Sequence, residues 1–492
     1  MGGKLFQEWI CMAWAQIENQ RLAYQRQNQK TLRADTYKSD QEATDARLQE
    51  LEQLAPREDR IFPDDHRPAM IGRKILCSSF AGGPRWYNAK FQDAMAIVRK
   101  YGKPDLFITM TCNPNWPEIT SELLEGQEPQ DRPDIVAMAF KQKMDQLMKD
   151  LTDGACFGQV VGFLYCVEFQ KRGLPHVHIL LILAGHDRPL TPELVDELVT
   201  AELPPSADEV EDPTKKAQRQ QMEQIVLDTM VHNHCGQNNP QAQCMENGRC
   251  SKSFPKDFQK ETSVDPDNCY ATYRRRSPAD GGRTINHKGR LIDNSWVIPY
   301  NPYLSNRYDC HINVELCASP KAAKYLYKYV TKGNDRARVA TEVEGEPRDE
   351  IRDYQDLRSV GSSEATWHIM GHHITSNKPA VMAMRVHLKE QQQVVFDVNS
   401  EAEALENQRE TELTAFFKYN QTLTDADYKP RYIEMPEQHV YDKKDKEWRP
   451  RKRGAPSVGR VHQVNPVAGD VYYLRVLLHD DHCRGKPASR TC

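Results

Sequence analysis

The sequence predicts an α+β fold, and the order of the segments that follow Arg73 is the main reason. The run FQDAMAIVRKYG has the composition of a helix, and the apolar residues 106–111 after it are ended by an Asn-Pro turn. A second helix is predicted at about 135–150. Two further strands, 160–169 and the run that starts after Pro175, flank the turn KRGLP. Strand, helix, strand, turn and strand in this order are typical of an α+β domain.

The composition is that of a polar globular chain with room for roughly two to four domains. It has 492 residues, of which 39% are hydrophobic, and 66 Lys and Arg stand against 70 Asp and Glu, a net charge of -4. Such a protein is not a polycation, so a surface for nucleic acid has to be a local patch. No run of about 18 apolar residues occurs, which predicts no membrane segment and a cytosolic or nuclear location. The 13 cysteines are then expected to be reduced thiols, some of them metal ligands.

Composition shifts divide the chain into five predicted regions. The first is helical, because Trp9, Ala13 and Ile17 recur every four residues without proline or glycine nearby. The third is an insertion that begins with an acidic, proline-punctuated stretch. Strands are predicted in SWVIPYNPYL and CHINVELC, and at 380–388 and 393–397. The regions are 1–60, the helical N-terminal region; 61–185 and 261–349, two parts of one domain; 186–260, the insertion; and 350–492, a C-terminal α/β region with a basic tail.

Two histidines stand on alternate positions of a strand in the stretch EFQKRGLPHVHILLIL. Side chains two apart share a face, so His176 and His178 point the same way, with Glu168 and Gln170 available from the neighbouring strand. Two imidazoles and one oxygen ligand can hold a divalent cation and leave open positions for substrate. Glu168 is the better hard-cation ligand by charge, but we expect Gln170 to be nearest in register and to complete the site, with Glu168 as the rival. A pair of hydrogen-bonded strand histidines is the alternative.

A second candidate metal site lies in VHNHCGQNNPQAQCMENGRCSK. His232, Cys235, Cys244 and Cys250 follow the spacing H-x2-C-x8-C-x5-C, and His234 could replace His232. Four nitrogen and sulfur ligands are what a closed tetrahedral zinc site needs, and a loop so poor in apolar residues needs another source of stability. We therefore expect structural zinc. Free thiols are the alternative, because the spacing fits no standard zinc finger.

The run KAAKYLYKYVTKG predicts a helix with one basic face. At about 100° per residue, its lysines fall on one side and its small and apolar residues on the other. Tyr325 and Tyr329 lie at the edge of the lysine face, whereas Tyr327 falls on the apolar side and is expected to pack. Two tyrosine hydroxyls therefore lie beside a surface that attracts phosphates. The lysines are Lys321, Lys324, Lys328 and Lys332.

Two other basic stretches are candidates for contact with nucleic acid. YATYRRR interleaves aromatic residues with Arg274, Arg275 and Arg276, which suits stacking on bases and pairing with phosphates of a single strand. An exposed amphipathic strand is the alternative. KKDKEWRPRKRG is either a nuclear localisation segment or a solvated basic loop.

Several of these stretches together resemble the N-terminal region of Helitron transposases, a branch of the HUH endonucleases that initiate rolling-circle replication. The resemblance covers nearly the whole chain, from about Lys4 to His479. It implies an HUH (Rep-like) nuclease core, an antiparallel sheet with helices on its faces, beside the helical extension and the inserted zinc-binding loop. The similar stretches are GKPDLFITMTCNPNWPEI, EFQKRGLPHVHILLIL, CMENGRCSKSFPK, VIPYNPYL, CHINVELC, KAAKYLYKYVTKG and WHIMGHHITSNKPAVMAMRVHL.

The resemblance also implies an activity. In this family a tyrosine cuts single-stranded DNA and leaves a 5′-phosphotyrosine and a free 3′-OH, so Tyr325 and Tyr329 would be the nucleophiles. Lys328 and the other lysines of the run would offset the negative charge that develops on the phosphate. Mg²⁺ or Mn²⁺ would be the catalytic ion, and the substrate would be single-stranded DNA at transposon ends, in the nucleus. No G-x-x-x-x-G-K-[ST] stretch occurs, so we expect transposition to need a separate helicase.

Two other functions fit the same residues. The chain could be a truncated, non-catalytic DNA-binding remnant of such a transposase. It could also be a metallohydrolase that uses the histidines without a covalent tyrosine. A covalent adduct with DNA is expected only from the endonuclease, which makes that adduct the deciding observation.

Overall fold

The computed structural model describes residues 2–29, 74–317, 349–389 and 410–479, apart from 155, 171–172, 238, 266–269, 357–359, 425–427 and 463. The chain divides into two units. The first comprises Met1–Gln16, Tyr101–Asn334 and Ser359–Lys378, and the second comprises Ile17–Lys100, Asp335–Arg358 and Pro379–Cys492. In these described ranges, no helix is long and apolar enough to cross a membrane.

The α+β class predicted from the sequence is confirmed. In chain order the helices are α1 Lys4–Gln27, α2 Pro84–Tyr101, α3 Pro117–Thr120, α4 Pro133–Thr152, α5 Pro192–Leu198, α6 Pro213–Thr229, α7 Pro302–Tyr308, α8 Glu350–Asp356, α9 Ser362–Ile369, α10 Glu412–Thr422, α11 Met435–Gln438 and α12 Asp470–Leu477. The strands are β1 Leu106–Thr111, β2 Val160–Phe169, β3 Pro175–Leu183, β4 Met245–Glu246, β5 Arg249–Cys250, β6 Ser263–Val264, β7 Ala271–Thr272, β8 Thr284–His287, β9 Arg290–Asp293, β10 Ile312–Leu316, β11 Thr375–Lys378, β12 Ala380–Met384, β13 His439–Asp442, β14 Glu447–Pro450 and β15 Ser457–Val461.

A five-stranded sheet forms the centre of the first unit. Its strand order is β10-β1-β3-β2-β11, and every neighbouring pair is antiparallel, as the sequence predicted. Strands β1 and β2 have the predicted bounds. Strand β3 holds the middle position, so the stretch with the two histidines is hydrogen-bonded along both of its edges.

The two faces of this sheet differ in chemistry because alternate residues of each strand point to opposite sides. One face is apolar and packs on α4, whose Phe140 and Met144 are fully buried in the same core as Ile108 and Ile179. The other face carries polar side chains near the β2–β3 turn. In β3, Val177, Ile179 and Leu181 point toward the core, opposite to the two histidines.

Helix α1, Lys4–Gln27, lies in the N-terminal region that is predicted to be helical, and its buried face differs from the apolar repeat in the sequence. In the first unit, Ile10 and Trp14 are buried and pack with Ala365. Trp9 is 61% exposed and Ile17 is 40% exposed. The helix therefore buries the face of Ile10 and Trp14, which lies next to the predicted face of Trp9, Ala13 and Ile17.

The stretch from α5 to α7 is folded rather than linker-like. Val195 and Leu203 are buried, and Leu203 packs with Val226 of α6 and with Val297. The strand predicted in SWVIPYNPYL is wrong: Val297 and Tyr300 form only isolated bridges, and the stretch continues into α7. Its two prolines cannot donate to a sheet, and the Asn301 side chain, which precedes Pro302, caps α7. The strand predicted in CHINVELC is confirmed as β10.

In its described part, the second unit contains two small sheets and two buried clusters. Strands β12 and β15 pair in parallel, and β13 and β14 form a hairpin. One cluster joins α1 and α8 through buried Leu22, Ile351 and Tyr354. The other is built on α10 and on residues near β13–β15, and includes buried Phe416 and Tyr432. The predicted strand at 380–388 is β12, and the one at 393–397 lies outside the described residues.

The basic stretch KKDKEWRPRKRG begins in the β13–β14 hairpin. Arg449 of β14 pairs with Asp442 at 3.0 Å and with Asp445 at 2.6 Å. Local acidic side chains therefore neutralise part of its charge, which favours the solvated surface loop among the two predictions for this stretch.

Candidate functional site

Three ligand side chains converge on the polar face of the central sheet, next to the β2–β3 turn. Glu168 of β2 lies directly opposite His176 of β3, and His178 follows two residues later on the same face. Glu168 Oε2 lies 3.3 Å from His176 Nε2 and 3.8 Å from His178 Nε2. Alternation along β3 and antiparallel pairing with β2 are therefore enough to build the cluster.

The cluster is nearly enclosed. The side chains of Glu168, His176 and His178 are 19%, 12% and 11% exposed. Among the described residues, no hydrogen-bond partner reaches the buried Glu168 Oε1 or the buried His176 Nδ1. An unpaired buried carboxylate oxygen is costly, and a cation is one group that would satisfy it.

The spacing of the three side chains fits a divalent cation. Their candidate ligand atoms all lie within 4.8 Å of one another. Adjacent ligands of an octahedral ion at about 2.1 Å are about 3 Å apart, so distances of this size need only small side-chain movements. Two nitrogens and one carboxylate oxygen would leave coordination positions open for substrate oxygens.

The neighbouring strand β1 orients the second histidine. Thr109 lies opposite His178 in the register, and its hydroxyl lies 2.9 Å from His178 Nδ1. The Phe107 ring stacks on the same imidazole, with ring centroids 5.5 Å apart. A hydrogen bond at Nδ1 leaves Nε2 as the ligand atom, which is the arrangement in which a second side chain fixes a ligating histidine.

The expectation that Gln170 is nearest in register is wrong. The pairing matches Phe169 with Pro175 and Glu168 with His176, so Gln170 lies one step further out, in the turn. Its backbone N–H donates to the Leu174 carbonyl at 3.1 Å, and its side chain is exposed. Glu168 is therefore the oxygen ligand that the geometry favours.

The second cluster is formed by His232, Cys235, Cys244 and Cys250, the four residues predicted from their spacing. Their candidate ligand atoms also lie within 4.8 Å of one another. His232 Nε2 lies 3.5 Å from Cys250 Sγ, close to the roughly 3.6 Å between a nitrogen and a sulfur of a tetrahedral zinc ion. His234 is exposed and does not join the group.

Local structure brings these four ligands together. Strands β4 and β5 form a two-residue hairpin whose turn residues, Asn247 and Gly248, both have positive φ, which suits the tight turn between Cys244 and Cys250. The His232 ring stacks on Phe254, with centroids 4.2 Å apart. This stacking explains why His232 rather than His234 is held in the group.

A bound cation would hold these cysteines as thiolates, because cysteine ligands have to be deprotonated. Burial and the neighbouring Cys250 and Cys244 thiols raise the pKa of Cys235 to about 12. Burial also lowers the pKa of His232, with help from Arg290, so that its imidazole is neutral. Adjacent thiolates repel one another without a cation, and zinc would remove that repulsion. No disulfide joins the cysteines of the described ranges, in line with the reduced thiols that the sequence predicted.

The comparison with known families agrees with this geometry. Residues 1–181 match the family described as the Helitron helicase-like domain at the N-terminus. This part of the chain is a Helitron N-terminal region. The match ends within β3 and so includes Glu168, His176 and His178. None of the curated proteins matches the chain.

The predicted nucleophiles lie outside the described residues. The run KAAKYLYKYVTKG falls between Cys317 and Asp349, so the structure gives no position for Tyr325 or Tyr329. The same holds for the lysines of that run, Lys321, Lys324, Lys328 and Lys332. Their roles stay predictions from the sequence.

The three arginines of YATYRRR have protein partners. Arg275 is 5% exposed and its Nη1 donates to the carbonyls of Ala201, Asn294 and Val297 at 3.3, 2.8 and 2.6 Å. Burial lowers its pKa to about 10. Arg274 and Arg276 both pair with the buried carboxylate of Glu202. Arg275 thus holds this part of the fold together, and DNA contact by Arg274 and Arg276 remains a prediction.

Strand β10 and the residue before it carry polar side chains that the sequence did not single out as site residues. Asn313 lies opposite Thr109 on the face that carries the histidines, and its buried Oδ1 has no hydrogen-bond partner among the described residues. His311 lies two residues before it and lines a pocket next to Asn113. The signal was present, because CHINVELC alternates polar and apolar residues as the histidine stretch does.

Proposed function

We propose that the chain is a single-stranded DNA endonuclease and strand transferase of a Helitron-type rolling-circle transposon. One observation carries this proposal: Glu168, His176 and His178 converge on the polar face of the central sheet. This arrangement is what an HUH nuclease core requires, and it lies within the part of the chain that matches the Helitron family. A scaffold role would not need three ligand side chains on an otherwise apolar hairpin.

Glu168, His176 and His178 would hold Mg²⁺ or Mn²⁺. When bound, such an ion supplies Lewis-acid polarisation of a phosphate oxygen and offsets the charge that develops on it. Thr109 keeps His178 Nε2 directed at the ion by occupying Nδ1. The low exposure of the three side chains limits competition from bulk water.

The chemical step we propose is a transesterification. The Oη atom of Tyr325 or Tyr329 attacks the scissile phosphorus, the bond from phosphorus to the 3′ oxygen breaks, and the phenolic proton ends on that oxygen. One phosphodiester replaces another, so no external energy source is consumed. Lys328 would stand beside the phosphate, and Lys321, Lys324 and Lys332 would attract the strand. The second tyrosine would allow one strand end to be held while the other is cut or rejoined.

The zinc group would have a structural role. Four protein ligands would fill every coordination position of a tetrahedral zinc ion, whereas the three ligands of the Glu168 cluster would leave positions open. Zinc at His232, Cys235, Cys244 and Cys250 would stabilise a loop that has little apolar surface of its own. The partner is single-stranded DNA at transposon ends in the nucleus, with a separate helicase for unwinding and with Arg274 and Arg276 as candidate phosphate contacts.

A covalent-adduct assay tests the proposal. The full chain is incubated with a mixture of 5′- and 3′-labelled single-stranded oligonucleotides and Mn²⁺, and protein-linked DNA is resolved on a denaturing gel. We expect an adduct that carries the 3′ label, because the phosphotyrosine retains the downstream fragment. The double variant Tyr325→Phe/Tyr329→Phe should lose it, and the matched control Tyr327→Phe should retain it.

The other functions predict different results. DNA binding without an adduct, with the tyrosines intact, would mean a non-catalytic remnant. Cleavage that survives the double tyrosine variant but not Glu168→Gln would mean a metallohydrolase without a covalent intermediate. Either outcome would exclude the tyrosine mechanism.

A further inference from the structure

A pocket of about 350 Å³ opens beside the sheet end that carries the Glu168 cluster. The residue before β10, the segment after β1, the C-terminal end of α6 and the segment that follows it contribute its walls. The residues that matter for its chemistry are Asn113, Asp228, Val231, Asn233, Ile298 and His311. Its volume is at the small end for ligand sites, so it suits a single base or nucleotide rather than a base pair.

The register connects this pocket to the metal cluster. The Thr111 N–H donates to the His311 carbonyl at 2.9 Å, and Thr111 lies opposite His176, which lies opposite Glu168. These four residues therefore form one row across four strands, with side chains on the same face. At about 4.8 Å per strand, the His311 backbone is about 10 Å from that of His176. A strand of DNA with a phosphate at the cluster would carry a neighbouring nucleotide to His311.

The hydrogen bonds of His311 define what it offers to a ligand. Its Nδ1 lies 2.8 Å from the Thr229 carbonyl, which can only accept, so Nδ1 carries the proton. Burial lowers the pKa of His311, which keeps the ring neutral. The other ring nitrogen, Nε2, is then a hydrogen-bond acceptor, and the ring is part of the pocket lining.

The other polar walls favour a base over a phosphate. The carboxylate of Asp228 lies in the lining and would repel a phosphate, although Lys288 pairs with it at 2.7 Å. The exposed Asn233 offers both an acceptor and a donor, as asparagine does when it reads the edge of a base. Val231 and Ile298 supply apolar surface for the face of a ring.

We propose that this pocket binds one unpaired nucleobase that carries an exocyclic amino group, next to the nucleotide that is cut. His311 Nε2 accepts from the amino group and Asn233 pairs with the adjacent ring edge. The pocket then sets a base preference at one position of the single strand. The proposal rests on the endonuclease function proposed above, and it adds the recognition of one base to it.

A randomised single-stranded DNA library tests the preference. The full chain with Mn²⁺ cleaves the library, and sequencing of the products gives the base frequencies around the cut. We expect one position near the cut at which adenine, cytosine or guanine exceeds thymine, which lacks the amino group, by at least about fivefold, the lower end for a base-specific contact.

The variant His311→Asn tests the assigned residue. Asparagine can place its amide N–H where Nδ1 was, so it keeps the bond to the Thr229 carbonyl and deletes only the Nε2 acceptor. The preference at that single position should disappear, whereas the exposed control His186→Gln should leave it unchanged. An identical base profile in wild type and His311→Asn would overturn the proposal.

A second arm keeps this result separate from the endonuclease proposal. If wild type cuts nothing, the nuclease function fails, and the same library is then selected by binding in a buffer without Mn²⁺ and without chelator, so that any zinc stays bound. If thymine is depleted at one position of the strands that wild type binds, but not of those that His311→Asn binds, the base pocket is supported on its own. Equal base frequencies in the two proteins refute it.

Discussion

Replacing Glu168 by glutamine should remove most of the stabilisation that Mn²⁺ gives to the protein. Glu168 contributes the only negative charge of the three-residue cluster, and its Oε1 is buried without a hydrogen-bond partner among the described residues. The substitution preserves side-chain size and removes the charge. Its effect should therefore lie in metal affinity rather than in packing.

The size of the effect follows from linkage. At a Mn²⁺ concentration 100 times the dissociation constant, binding stabilises the folded state by about 2.7 kcal/mol. For a unit of about 150–250 residues this corresponds to a rise in Tm of about 5–11 °C. Loss of a direct ligand should weaken binding by at least about 100-fold, the upper value for groups that only orient ligands. At the same Mn²⁺ concentration the remaining stabilisation is about 0.4 kcal/mol, or about 1–2 °C.

The assay is a thermal melt of the full chain with and without Mn²⁺, after dialysis against chelator. Gln170→Ala is the matched control, because that side chain is exposed in the turn and lies outside the cluster. We expect the Mn²⁺ shift to be retained in Gln170→Ala and nearly lost in Glu168→Gln. The opposite pattern would refute the register argument and return Gln170 to the site.

Three further outcomes are expected. Thr109→Val, an isosteric change that removes the bond to His178 Nδ1, should weaken Mn²⁺ binding about 10- to 100-fold in a titration, and unchanged affinity would exclude an orienting role. Cys235→Ser should lower bound zinc, measured by elemental analysis, whereas the control Cys156→Ser should not; equal zinc in both would exclude the four-residue site. Arg275→Met should destabilise the fold by roughly 2–5 kcal/mol in denaturant melts, because three buried carbonyls lose their donor, and a loss of DNA affinity without loss of stability would contradict its structural role.

The sequence predicted the sheet well where the local signals agree with one another. Strands β1 and β2 have the predicted bounds, because each alternates along its length and a turn ends it. SWVIPYNPYL failed for the opposite reason. Its apolar residues favour a strand, but Pro299 and Pro302 lack N–H donors and Asn301 caps a helix, and these backbone constraints override the apolar composition.

The sequence was enough to identify some of the candidate metal ligands, but it left a choice between two residues for others. Residues two apart on a strand must share a face, so His176 and His178 could be paired from the sequence alone. The choice between Glu168 and Gln170 depended on the register of β2 against β3. The number of residues in the turn sets this register, and the composition of the stretch does not give that number. The choice of His232 over His234 depended on the ring of Phe254, which lies 22 positions later in the chain.

The proposed zinc group and the proposed base pocket share a residue. His232 and Asn233 line that pocket, and His232 is also one of the four residues of the zinc group. Zinc would therefore hold the His232 part of the lining, while His311 is held beside the sheet by its bond to the Thr229 carbonyl of α6. Because Glu168 lies three strands away from His311 in the same row, removal of zinc should disturb base selection before it disturbs the Glu168 cluster. This order of effects distinguishes a zinc group that positions DNA from one that only stabilises the fold, since the latter would affect both together.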